Sequence, residues 1–171
     1  MNTAPSLAPV GTRFGQVAWV VPDIVATERF FRDVLGVPGF AKLENVRAQD
    51  TAGTFRGRPG DFVFHLYMAW SGGVLLELIQ PVSGESLFRE FLDAHPAGGV
   101  QHVAYTVPIE EFAGSVAQLT ARGHQVVQAL TLPVASVAFF DTTAEIGVAT
   151  EIIGVTDTGR AFVAQLQGGG G

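Results

Sequence analysis

The chain carries nearly the same segment twice. Residues 16–22 read Gln16-Val17-Ala18-Trp19-Val20-Val21-Pro22, and residues 102–108 read His102-Val103-Ala104-Tyr105-Thr106-Val107-Pro108. Later in each copy, Leu75-Leu76-Glu77-Leu78-Ile79 is echoed by Ala149-Thr150-Glu151-Ile152-Ile153. Aligned this way, Gln16 falls on His102 and Glu77 falls on Glu151. An internal repeat constrains architecture more than local propensity does, because both copies must take one supersecondary form. Two copies, each supplying one polar residue early and one late, predict four ligand-type side chains at a shared centre.

The bulk numbers suit two half-sized units sharing one core. The chain has 171 residues, 47% hydrophobic and 15% charged, so it can bury a sizeable interior. A net charge of −6 argues against nucleic acid as a partner, since phosphate binding needs a basic face. There is no cysteine, which excludes disulfides, thiolate metal sites and a cysteine nucleophile. Residues 1–9 lack the charged and apolar regions of a signal peptide, and no apolar run reaches the ~18–20 residues of a membrane span. The expectation is a cytoplasmic protein with no membrane partner.

Both copies read βαβββ, which predicts an α+β fold with mixed sheets rather than a doubly wound parallel sheet. In the first copy, residues 14–21 read as a strand and 23–34 as a helix opened by Asp23 and ended at Gly36. Residues 40–44, 62–70 and 74–80 read as three strands. The second copy has a strand at 100–107, a helix at 109–121 and strands at 125–130, 136–141 and 148–155. The expected organisation is an N-terminal extension (1–13), a first module (14–81), a connecting helix and linker (82–99), a second module (100–155) and a C-terminal tail (156–171) with a disordered Gly-rich end. The loop 45–60 has no full-length counterpart in the second copy. Its Arg47, Arg56 and Arg58 suit either a lid or anion grip, or a solvated surface excursion.

Glu77 and Glu151 carry the chemistry. Glu77 has Leu75 and Ile79 as same-face neighbours, and Glu151 has Ala149 and Ile153. A carboxylate on such a face needs a cation, hydrogen-bond donors or a water-filled cavity. With Gln16 and His102 they form a set of three oxygen-bearing side chains and one imidazole, suited to a divalent metal such as Zn, Ni, Co or Mn. Taken singly, a histidine or glutamine on a strand is more often a satisfied core or surface group. His95, before Pro96, and His124, beside Gly123, read as surface residues. Phe14, Trp19, Phe62, Phe64, Tyr67 and Trp70 read mainly as core, with a pocket lining as the alternative.

These segments, with Phe31-Arg32-Asp33-Val34-Leu35-Gly36, Glu77-Leu78-Ile79-Gln80-Pro81, Gly99-Val100-Gln101-His102 and Phe140-Asp141-Thr142, resemble the vicinal oxygen chelate superfamily. That superfamily includes glyoxalase I, methylmalonyl-CoA epimerase, extradiol dioxygenases and the fosfomycin and bleomycin resistance proteins. The resemblance spans Phe14 to Gly154. It implies two tandem βαβββ modules forming a cup-shaped mixed sheet around a divalent metal held by Gln16, Glu77, His102 and Glu151. The ligand order resembles glyoxalase I, whereas the layout around Ser86–Leu92 and Gly98–His102 resembles the epimerases. Gln16, standing where extradiol dioxygenases have a histidine, disfavours iron. The resemblance implies an isomerase, epimerase or lyase that forms a metal-stabilised enolate on a small carbonyl or thioester. In it Glu151 is the base, and His65 stands where the epimerases carry a second carboxylate, which suits either a second acid or base or a strand surface residue. It also implies a homodimer. The alternatives are a non-catalytic binding or sequestering protein of the same fold, and a ring-cleaving dioxygenase.

Overall fold

The computed structural model describes residues 10–168. A 3-10 turn at Val10–Thr12 leads into β1 (Phe14–Val20) and α1 (Ile24–Asp33). Asp23 caps α1, its carboxylate accepting the Ala26 N–H at 2.9 Å. Gly36, at φ 73°, turns the chain out of the helix. There follow β2 (Ala41–Arg47), β3 (Thr54–Phe55), β4 (Arg58–Pro59), β5 (Val63–Ser71) and β6 (Val74–Ser83). Helix α2 (Leu87–Ala94) connects to β7 (Gly99–Pro108), α3 (Ile109–Ala121), β8 (Val126–Thr131) and β9 (Ala135–Phe140). A short α4 (Thr143–Ile146), β10 (Ala149–Val155) and α5 (Asp157–Gly168) complete the described residues.

All ten strands form one strongly curled open sheet, in the order β2-β5-β6-β1-β7-β10-β9-β8-β3-β4. At its middle β1 runs antiparallel to β7. Each is parallel to the last long strand of its own half, β1 to β6 and β7 to β10. The two halves are thus related by an approximate twofold axis passing between β1 and β7. The repeat predicted the α+β class, and the superfamily resemblance implied the cup.

Strand alternation sorts the side chains onto two faces. On the convex face, Tyr67, Ala69 and Leu78 pack with Val21, Ile24 and Phe31 beneath α1. Val107, Ala138, Phe140 and Ile152 pack beneath Phe112, Val116 and Leu119 of α3. The concave face holds the largest cluster, including Phe64, Leu66, Met68, Phe88, Val137 and Phe139. Residues from α2 and α5 pack against that cluster, so the inside of the cup is partly filled.

Two segments differ from the sequence reading. Residues 45–60 are neither a lid nor a bare excursion. They form a 3-10 turn at Ala48–Thr51 and the β3–β4 hairpin, whose Thr54 and Phe55 pair with Ala129 and Gln128 of β8. The first half thereby extends the edge of the second. Arg56 makes a two-pronged ion pair with Glu90 of α2, at 3.0 and 2.9 Å, and lies over the Phe55 ring. Its cation is spent on structure.

Helix α5 replaces most of the expected tail. Thr156 starts it by accepting the Gly159 N–H on its hydroxyl at 3.1 Å. Gly159 lies so close to Val134 that an added Cβ would meet that residue's carbonyl oxygen. Phe162 and Leu166 then pack onto the concave core. The spacing of these two residues is helical, but the Gly-rich end hides a helix whose stability comes from tertiary packing. Residues 1–9 and 169–171, which hold most of the expected extension and the expected disordered end, lie outside the described residues.

Candidate metal centre

The four central strands each deliver one polar residue to the concave face. They are Glu77 from β6, Gln16 from β1, His102 from β7 and Glu151 from β10. The ladder explains how they meet. Ala18 stands between Glu77 and His102 in register, and Ala104 stands between Gln16 and Glu151. Both alanines are fully buried. A methyl group at each leaves room for the longer flanking side chains to lean over it and converge.

Two bulges in the β1–β7 ladder aim the ligands. The register shifts between Phe14 and Gln16, leaving Gly15 as the extra residue, and between Ala18 and Trp19, leaving Gln101 as the extra residue opposite. Each bulge lies immediately before a ligand, Gly15 before Gln16 and Gln101 before His102. Bulges interrupt strict alternation and redirect side chains. Gln101 is buried beside its neighbour, with its Oε1 2.6 Å from His102 Nδ1. A carbonyl oxygen only accepts, so it fixes the proton on Nδ1 and leaves Nε2 facing the cluster.

The donor atoms are close together. Gln16 Nε2 lies 3.1 Å from Glu77 Oε2, 3.0 Å from Glu151 Oε2 and 3.4 Å from His102 Nε2. His102 Nε2 lies 3.2 Å from each carboxylate. A tetrahedral shell of ligands about 2.1 Å from a common centre has edges of about 3.4 Å. The observed separations are close to those edges. Turning the Gln16 amide over would present Oε1 in place of Nε2 at the same spot.

Electrostatics point the same way. All four residues are buried, and among the described residues His102 is the only ion-pair partner of Glu77 and Glu151. Burial by itself lowers the His102 pKa, but hydrogen bonds to Glu151 and Glu77, and their charges, outweigh it and push it up to about 9. Burial raises Glu151 to about 7, opposed by its hydrogen bond to His102. Two buried carboxylates against one imidazolium leave the pocket short of positive charge. A divalent cation supplies it, so the donor set fits such an ion by chemistry and by spacing. Within the described residues this is the one group of three or more acidic or histidine side chains with ligand atoms close enough together to hold a metal.

A cavity of about 350 Å³ opens onto the cluster. Gln16, Glu77 and Glu151 line its floor, while His102 sits behind them, flanked by the rings of Phe88 and Phe139.

The sequence that builds most of this cup also places the chain among known proteins. A model of the glyoxalase/bleomycin resistance protein/dioxygenase superfamily matches residues 15–139. The chain belongs to that superfamily. No curated protein matches it significantly in sequence. Among solved structures, methylmalonyl-CoA epimerase from Mycobacterium tuberculosis superposes with a TM-score of 0.61 at 20% identity, covering 93% of this chain and 96% of that one. A hypothetical protein from Bacillus halodurans gives 0.58 at 19% identity, covering 82% and 92%. A variant of Streptomyces coelicolor methylmalonyl-CoA epimerase, solved in complex with 2-nitronate-propionyl-CoA, gives 0.57 at 20% identity, covering 84% and 94%. At such identities the likeness is one of fold. No helix among the described residues is long and apolar enough to cross a membrane.

Of the five site residues expected from the superfamily resemblance, four come together and His65 does not. Leu66, Met68 and Trp70 are the β5 residues that line the cavity, which puts His65 on the convex face. There its Nδ1 accepts the Asn45 N–H at 3.1 Å, and its cross-strand partner Gln80 accepts the Ile24 N–H at the start of α1. Alternation alone groups His65 with Tyr67 but leaves open which face the helices cover. Of the aromatics read mainly as core, Phe14 and Trp70 line the cavity, whereas Trp19 and Tyr67 pack beneath α1. Gln101 escaped the sequence reading because neighbours on a regular strand point to opposite faces. A bulge has no marker in this segment.

Proposed function

We propose that the chain is a divalent-metal-dependent isomerase, epimerase or lyase that moves a proton next to a carbonyl group. One observation carries the reading: Gln16, Glu77, His102 and Glu151 converge at the floor of a cavity large enough for a small molecule. When bound there, a cation such as Zn, Ni, Co or Mn supplies Lewis-acid polarisation of a carbonyl oxygen. Gln16, Glu77 and His102 hold that cation, and Gln101 keeps the His102 ring in the ligating tautomer. Glu151 takes the proton from the carbon next to the carbonyl and returns it. A buried carboxylate at the cavity floor is placed to make both transfers.

The position of His65 sharpens the proposal. Epimerisation across two faces of a planar intermediate needs a second acid–base group. Beyond Arg13, the titratable side chains lining the cavity are Glu77 and Glu151. Glu77 lies across the Gln16 amide from Glu151, so isomerisation by Glu151 alone and epimerisation by the pair of carboxylates both fit the lining. A second reading, a sequestering protein without turnover, draws on the mostly apolar walls.

Two measurements test this. Elemental analysis of the purified protein should find about one divalent ion per chain, with Glu77→Ala and His102→Ala nearly metal-free. Unchanged metal content in both variants would refute the site. Proton NMR in deuterium oxide, across a panel of small carbonyls and thioesters, should show exchange at the carbon next to the carbonyl. A metal-loaded protein that binds such compounds and exchanges none of them is the sequestering protein instead.

A further inference from the structure

The floor of the cavity speaks for the reaction, and its walls speak for the substrate. At about 350 Å³ the cavity lies near the lower end of the ~300–1,000 Å³ usual for ligand sites. Its walls are apolar and come from both halves, including Leu66, Met68, Val137 and Ile153. The apolar character continues to the edge, where Phe14 and Leu43 are 50% and 39% exposed. Exposed apolar side chains next to a pocket mark a surface kept for an apolar ligand.

Positive charge is scarce. Among the lining residues Arg13 is the one cation, and it is paired with Glu111 at 3.2 Å. A handle bearing several phosphates or carboxylates is gripped by several arginines, lysines or helix N-termini. The lining has no such set, and the chain as a whole carries a net charge of −6.

Helix α5 closes one side. Gly159, Phe162 and Val163 line the cavity, and the Thr156–Gly159 bond and the Val134 contact fix the start of the helix. The helix follows β10 directly, so this wall is built next to the strand that carries Glu151.

We propose that the cup takes a compact, mostly apolar carbonyl compound without a polyanionic handle, and that Phe162 of α5 sets the limit on its length. The carbonyl part of this statement rests on the function proposed above; the size and charge limits rest on the walls alone. Trp70 lines the cavity and Trp19 does not, so Trp19→Phe leaves one reporter at the site.

Fluorescence titration of that variant, with and without added zinc, should show saturable quenching by propiophenone. Propionyl-coenzyme A should bind at least tenfold more weakly. Equal or tighter binding of the coenzyme A ester overturns the proposal. Phe162→Ala, and to a smaller degree Phe162→Leu, should shift preference at least threefold towards the longer hexanophenone. An unchanged preference in both variants removes α5 from specificity. Because binding is read without turnover, a chain that binds propiophenone yet exchanges no protons keeps this proposal and loses the enzymatic one. Proton exchange on a coenzyme A ester that outcompetes the ketone does the reverse.

Discussion

The two faces of the one sheet bury carboxylates in opposite ways. On the convex face Glu28 is 5% exposed, with Lys42 Nζ at 2.6 Å and Arg32 at 3.8 Å. Nearby, the Tyr67 hydroxyl donates to Glu44 at 2.9 Å, and Lys42 lies over the Tyr67 ring. Burial, with the Glu44 hydrogen bond, pushes the Tyr67 pKa up to about 12. Charges there find their partners within the protein. On the concave face Glu77 and Glu151 are as deeply buried, yet they share a single histidine. A buried carboxylate with its own cation is structural, whereas two without enough cation form a binding site for one.

The contrast can be broken most severely at Glu151. Glu151→Gln should lower proton exchange by ~10²–10⁴, as loss of a general base does, without lowering the melting temperature of the metal-free protein. A large drop in metal-free stability would put Glu151 in the same class as Glu28.

Behind the ligands, Gln101→Leu should weaken metal affinity by ~10–100-fold while leaving the metal-free fold intact, as measured by competition with a chelating dye. Glu28→Gln should do the opposite. It leaves Lys42 without its partner and should cost about 1–2 kcal/mol in denaturant unfolding, Lys42 being partly exposed, with metal content unchanged.

A pH series separates the faces further. In the metal-free fold His102 is raised from 6.5 to about 9, so the stability it adds is complete below about 6.5 and fades as pH rises through 9. Glu151 is raised from 4.5 to about 7, so stability is also lost as pH climbs across that window. Metal needs both groups deprotonated. The rise in melting temperature on adding zinc should therefore grow from pH 5 to pH 9. A constant rise would mean that zinc binds elsewhere. The smallest effect is expected of His65→Ala, which loses one backbone hydrogen bond on the convex face and should change proton exchange by less than about twofold.

Legibility followed the range of the interactions. Gln16, Glu77, His102 and Glu151 could be read because the repeat ties each residue to an equivalent one, turning four weak signals into a pattern. Asp23 and the α3 boundaries were local and equally readable. The β3–β4 hairpin was not, since Thr54 and Phe55 find their partners some seventy residues on, in β8. Helix α5 was hidden for a similar reason: Phe162 and Leu166 are held by a core assembled from distant strands. His65 misled because a period of two gives a side chain's companions and not its side of the sheet.

The paired bulges have a consequence for how such a chain can change. Gly15 and Gln101 are each a single residue in excess of the regular ladder. Deleting either one would let the strands zip into an unbroken register, at little cost to the number of backbone hydrogen bonds. The ligand would keep its partners on both neighbouring strands, while the residue before the gap changed face and, at the second bulge, the amide that fixes the His102 tautomer was lost. A one-residue gap at the second place in a related sequence therefore separates inheritance of the cup from inheritance of its chemistry.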